Sequence, residues 1–197
     1  MKSLRHISLL LFIVFTGDSF ASEDNKAFQE QSMLSVLYVQ TATEFAANNI
    51  QTYANAKDAL LKGLEDSSWK AALEQVDNFE DKSPAIILDV DETVLDNSNF
   101  QARTILSGLS YPNGWAEWVN ESNAGAVEGV YDFLHFADKK GVKIYYLTNR
   151  LESFREATKK NILKLGLPFE DDEVLLMRSE ENLRDKTDRR KKIANEN

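Results

Sequence analysis

Cysteine is missing from all 197 residues. That excludes disulfides, thiolate metal sites, a thiol nucleophile and a lipid-modified N-terminal cysteine. Histidine is nearly missing as well: the two present are His6 and His135. Chemistry built on a ligating or proton-shuttling imidazole therefore has little to work with. Positive charge is also short, with 23 Lys and Arg against 32 Asp and Glu and a formal net charge of −9. Such a surface repels a phosphate backbone, so a nucleic-acid polymer is excluded as a partner, while a small anion held in one local positive pocket is not. Long apolar runs are lacking too. The longest, Ile7 to Phe15, falls well short of the roughly 20 residues that a spanning helix needs.

That run, the basic Lys2 and Arg5 before it, and Ser19-Phe20-Ala21 after it read as a secretory signal peptide over residues 1–21. Without a cysteine for lipid attachment, no membrane anchor is expected after cleavage, and the expected location is periplasmic or secreted. Residues 22–197 suffice for one domain with a core of its own. Within it the patterning suggests a helical extension over about 27–77 and a sheet core over about 84–197.

Leu34, Leu37, Tyr38, Thr41, Phe45, Ile50, Tyr53 and Leu60 recur at helical spacing, which predicts a long helical start over 27–64. Trp69, Ala72, Leu73 and Val76 predict a further helix over about 67–76. Ala85-Ile86-Ile87-Leu88 reads as a central parallel strand buried on both faces, running into Asp89-Val90-Asp91. A helix containing Val127, Val130, Tyr131, Leu134 and Ala137 closes at Lys139-Lys140-Gly141, and a second strand follows from Val142 to Thr148. Ser153 and Glu156 suggest a capping box opening another helix, and Val174 to Met177 a third strand. The order β-α-β-α-β predicts an α/β fold with a parallel sheet whose ligands bind beyond the carboxyl ends of the strands.

Two carboxylates where a buried strand leaves the core need a cation or hydrogen bonds, and Asp89 and Asp91 stand there. Three segments carry a resemblance: Ile86 through Ser98 (Ile-Ile-Leu-Asp-Val-Asp-Glu-Thr-Val-Leu-Asp-Asn-Ser), Tyr145 through Arg150 (Tyr-Tyr-Leu-Thr-Asn-Arg) and Asp185 through Arg190 (Asp-Lys-Thr-Asp-Arg-Arg). Together they resemble the class C acid phosphatases, the lipoprotein-e group of the haloacid dehalogenase superfamily. The resemblance implies a three-layer Rossmann-like sheet and hydrolysis of small phosphomonoesters, nucleoside monophosphates among them. It implies Asp89 as nucleophile on phosphorus, Asp91 as the proton carrier, and Thr148, Asn149 and Lys186 as phosphate-binding groups. It further implies a magnesium ion held by Asp89 and Asp91, the latter through its backbone carbonyl. The resemblance also implies a cap-like insertion at about 97–125, in which Phe100, Trp115 and Trp118 would stack on a nucleobase or aromatic leaving group or simply pack. His135, amid apolar neighbours, is expected to be structural, which argues against histidine acid phosphatases and His-cluster metallophosphatases.

Members of that family continue into a further strand with an acidic Gly-Asp-Asn type motif, and residues 187–197 contain none. The expectation is a chain that stops short, binds magnesium weakly, leaves one sheet edge uncovered and turns over slowly or not at all. The alternative reading is a non-catalytic binding or storage protein on the same scaffold.

Overall fold

A computed structural model describes residues 20–76, 79–179 and 184–196. The signal-peptide reading rests mainly on residues 1–19, outside the described residues. Helices α1 (Phe20–Thr41) and α2 (Thr43–Glu65) come first, and strand β1 (Ala85–Leu88) follows. The short strand β2 (Leu95–Asp96) leads into helices α3 (Ser98–Ser107) and α4 (Trp115–Glu121), and β3 (Gly125–Ala126) closes that excursion. Helix α5 (Val130–Lys139), strand β4 (Lys143–Leu151), helix α6 (Arg155–Lys164), strand β5 (Leu175–Arg178) and helix α7 (Thr187–Glu196) complete the chain.

The main sheet is parallel in the order β1-β4-β5, with Leu88 opposite Tyr146 and Leu147 opposite Leu176. Its middle strand is β4, whose residues Ile144 to Thr148 are all buried because helices cover both faces. The expected alternation is thus present, and the carboxyl ends of all three strands lie along one edge. One expectation is overturned: β1 is not central. Among the described strands it pairs on one side only, and Ala85, Ile86 and Ile87 are half-buried.

Helix α5 shows why these residues form these elements. Val130, Phe133, Leu134 and Ala137 are buried at the i, i+3, i+4, i+7 spacing of one helix face. Its end is a closed cap: the Val142 N–H bonds the Ala137 carbonyl at 3.1 Å while Gly141 takes φ 73°. At its start Gly129 has φ 84°, and a Cβ there would lie 3.1 Å from Ile50 Cα, so α2 and α5 pack backbone against backbone.

The helical start is divided. Ala42 adopts an extended conformation (φ −78°, ψ 121°), and the break turns α2 toward α5 while α1 lies along α3. The expected helix at 67–76 is absent. Asp66 leaves the helical region, and its carboxylate accepts from the Ser68 N–H and hydroxyl, starting a turn instead. Leu73, 91% exposed, has no surface to pack on, and a short helix is not stable without one. The capping box is also absent, since α6 is entered through a 3-10 turn at Glu152–Phe154 and no side chain caps it. Glu152 pairs with Arg155 there. No helix among the described residues is long and apolar enough to cross a membrane.

The insertion is closed at its base by a second, smaller sheet. Leu95 pairs with Ala126 and Asp96 with Gly125, so a two-residue antiparallel ribbon ties its two ends together. Asp96 starts α3 by accepting the Ser98 N–H at 2.8 Å.

Candidate active site

At the carboxyl end of β1 the chain makes a tight turn that aims its acids. The N–H groups of Val94 and Leu95 both bond the Val90 carbonyl, at 2.9 and 2.8 Å, and the Glu92 N–H bonds the Leu95 carbonyl. Glu92 is held at φ 57°, a left-handed conformation that costs a non-glycine residue about 1–2 kcal/mol. Tyr53 secures the turn from α2, donating to the Thr93 carbonyl at 2.6 Å.

Asp89 stands at the rim with its side chain 46% exposed, and its Oδ2 lies 2.7 Å from Lys186 Nζ. Lys186 precedes α7, whose start is set by Asp185: that carboxylate accepts from the Thr187 N–H at 2.9 Å and hydroxyl at 2.7 Å. These two bonds hold the Asp185 carboxyl below its usual range. Farther along, Ile193 anchors α7 in the core, and Lys82 Nζ donates to the carbonyls of Ala194 and Asn195 near its C-terminus. A local cap and a buried anchor thus deliver Lys186 to Asp89.

Asp91 has different company. Arg150 Nη2 and Nε donate to its Oδ1 at 2.8 and 3.0 Å, and Nε also reaches Oδ2 at 3.3 Å. Asn97 Nδ2 donates to the same Oδ1 at 2.9 Å and to Glu92 Oε1 at 3.0 Å. Burial, with the Asp91 charge adding to it, raises the Glu92 carboxyl above its usual range, against the Asn97 bond that lowers it.

Thr148 is fully buried, and its hydroxyl oxygen accepts from the Arg150 N–H at 3.0 Å. Asn149 donates to the Arg184 carbonyl at 2.9 Å, and its Oδ1 accepts from Arg189 Nη2 at 2.6 Å. Arg189 Nη1 also bonds the Thr148 carbonyl. Burial, together with the nearby Arg178 charge, lowers the proton affinity of the Arg189 guanidinium.

The structure therefore brings Asp89 and Lys186 into direct contact, and the parallel pairing of β1 with β4 sets Thr148 and Asn149 at the same sheet edge. It divides the aromatic trio. Phe100 and Trp118 are buried in the core cluster, with Phe100 edge-on to Trp115 at 5.0 Å, so both are packing residues here. Trp115 is half-buried and faces the Arg150 guanidinium at 5.3 Å. His135 is bound to the Gly166 carbonyl at 2.9 Å, away from this edge.

Sequence reasoning missed Arg150, Asn97 and Arg189 as members of this cluster. All three were in view inside the motifs, but nothing local says where a guanidinium or a carboxamide will turn.

Among the described residues, no group of three or more His, Asp or Glu side chains converges as a metal cage. The donors the resemblance implies, the Asp89 carboxylate and the Asp91 backbone carbonyl, belong to the same strand end; Asp89 meets the Val90 N–H and Lys186, and Arg150 and Asn97 occupy Oδ1 of the Asp91 carboxylate. That donor chemistry fits a magnesium-like ion, which takes one or two carboxylates and keeps several waters.

A family model described as HAD superfamily, subfamily IIIB (Acid phosphatase), matches residues 18–197. Among solved structures, the chain is similar to the Class C acid phosphatase from Bacillus anthracis with tungstate bound, at 34% identity and a TM-score of 0.76. A second structure of the Class C acid phosphatase from Bacillus anthracis matches at 34% identity and a TM-score of 0.75. Each match covers 85% of this chain, and this chain spans 65% of the length of each of those solved chains.

Proposed function

From the premise that this chain belongs to subfamily IIIB of the HAD superfamily, the acid phosphatases, we propose that it is an exported phosphomonoesterase acting on small monoesters, nucleoside monophosphates among them. The observation that carries this reading is the 2.7 Å contact between Asp89 and Lys186, which joins the first motif to the third across the sheet edge where an α/β fold binds ligands.

Asp89 would attack phosphorus with a carboxylate oxygen, forming an aspartyl phosphate as the bond from phosphorus to the leaving oxygen breaks. Asp91 would give that leaving oxygen a proton, then take one from the water that hydrolyses the aspartyl phosphate. Lys186 would neutralise charge on the transferring phosphoryl group, and Thr148 and Asn149 would bind its oxygens. Magnesium, held by the Asp89 carboxylate and the Asp91 carbonyl, would supply charge neutralisation that lets the anionic ester approach an anionic nucleophile. Export is supported by the basic and apolar pattern of residues 1–21, of which the family model, beginning at residue 18, takes in only the end.

The test is release of phosphate from p-nitrophenyl phosphate with magnesium, with a chelator, and by an Asp89→Asn variant. Release by the wild-type chain with magnesium that is slow but above the other two conditions is expected. Equal rates in all three would refute the reading. The absence of a three-acid cluster among the described residues favours a second reading, a binding protein on this scaffold. Nucleotide binding without release identifies that case.

A further inference from the structure

The two oxygens of Asp91 are not equivalent. Oδ1 receives three donors within 3.0 Å, from Asn97 Nδ2, Arg150 Nε and Arg150 Nη2. Oδ2 receives one, a 3.3 Å bond from Arg150 Nε. A carboxylate oxygen surrounded by three donors has no lone pair left for a reacting proton, whereas its partner keeps that capacity.

The group that creates this asymmetry is itself immobile. Arg150 is 3% exposed, with Nη1 donating to Thr158 Oγ1 at 3.2 Å and Nη2 to Asn97 Oδ1 at 3.4 Å. Asn97 Oδ1 in turn accepts from Trp118 Nε1 at 2.8 Å, and the Arg150 guanidinium faces Trp115 at 5.3 Å. One side chain from β4 thereby links the acid after β1, helix α6 and the aromatic insertion.

We propose that Arg150 is a positioning residue of the phosphatase reaction: it holds Asp91 by Oδ1, leaves Oδ2 as the atom that passes the proton, and ties that carboxylate to the insertion through Asn97 and Trp115. This rests on the functional reading above. In the balanced step, the proton on Oδ2 moves to the leaving oxygen as its bond to phosphorus breaks, and Oδ2 then accepts the proton released by the attacking water. Arg150 exchanges no proton and acts on the reaction only through Asp91, its one contact with Oδ2 being the long 3.3 Å bond from Nε.

The experiment uses the full chain with Arg150→Gln and the charge-preserving Arg150→Lys, assayed on p-nitrophenyl phosphate and on glycerol phosphate. The first ester leaves well without a proton and the second does not. A mispositioned acid should lower kcat/KM on glycerol phosphate about ten-fold more than on p-nitrophenyl phosphate, a fraction of the 10²–10⁴ that general acid catalysis is worth, with Arg150→Lys recovering part of the loss. Equal losses on both esters, the signature of a merely structural arginine, would overturn the proposal.

A melting cycle over Asp91→Asn, Arg150→Gln and the double variant tests the anchor without turnover. The double variant should lose less in Tm than the two single losses added, because both break one contact. Additive losses overturn the anchor. A wild-type chain that releases phosphate from neither ester overturns the functional reading and the proton-transfer part together, while the melting cycle still decides whether Arg150 holds Asp91.

Discussion

Replacing Asn97 by alanine should break the hydrogen-bond network beside the site at several points at once. The residue is 2% exposed and its side chain fully engaged. Its oxygen accepts the Trp118 indole N–H at 2.8 Å, and its amide serves Asp91 and Glu92 at 2.9 and 3.0 Å. Alanine leaves the buried indole N–H unpartnered, at about 1–3 kcal/mol, and removes a charge-assisted bond to each of two acids. Asp91 keeps Arg150, so the sum should fall at about 2–4 kcal/mol, which for a chain of this size lowers Tm by roughly 4–16 °C. In urea, Cm should fall with m unchanged.

The cost should also depend on pH. The Glu92 carboxyl is already raised by burial, so the stability tied to its proton is present below the ordinary glutamate range and is lost as pH rises through its higher folded value. Removing the Asn97 donor raises that value further. The Asn97→Ala penalty should therefore be larger at neutral pH than in acid, where protonated Glu92 no longer needs a donor. A loss below about 0.5 kcal/mol, the level of an ordinary surface substitution, or one that grows in acid, would refute this account of the network.

Lys186→Gln should lower kcat for phosphate release by about 10²–10³, as expected for one electrostatic donor at a phosphoryl group, while Tm stays within a few degrees. Gly129→Ala should destabilise by about 2–4 kcal/mol in thermal melts, because it combines a positive φ with a Cβ pressed against the α2 backbone. Tyr53→Phe should cost about 1 kcal/mol at neutral pH through the lost bond to Thr93. Burial pushes the Tyr53 hydroxyl up to about 12 from 10, so the stability it confers by staying protonated is intact below pH 10 and fades toward 12. Urea titrations across that range should show a shallower alkaline loss in the phenylalanine variant.

Much of this protein was legible from residue order alone, because the information is local. Apolar spacing through Val130, Phe133, Leu134 and Ala137, the Gly141 stop, and continuous apolar runs at Ile86 and Ile144 each act over a turn or a strand, and the alternating parallel architecture follows from them. The acids after Leu88 were visible in the same way, as carboxylates where a buried strand leaves the core, whereas Lys186 stood out only through the resemblance of its motif. Sequence alone misjudged the segment from Ser67 to Val76, whose helical spacing had no surface to bury against, and the helical start, which one extended residue at Ala42 redirects.

Tertiary structure decided the pairings. Asp91 and Arg150 are 59 residues apart, Thr148 and Arg189 are 41, and no periodicity connects them. Which oxygen of Asp91 is occupied, which aromatic ring is buried, and which strand β1 pairs with all depend on how parallel strands and the insertion close on one another. Short-range patterning sets what each segment becomes, whereas the partner of a charged side chain is chosen only when distant segments exclude water around it.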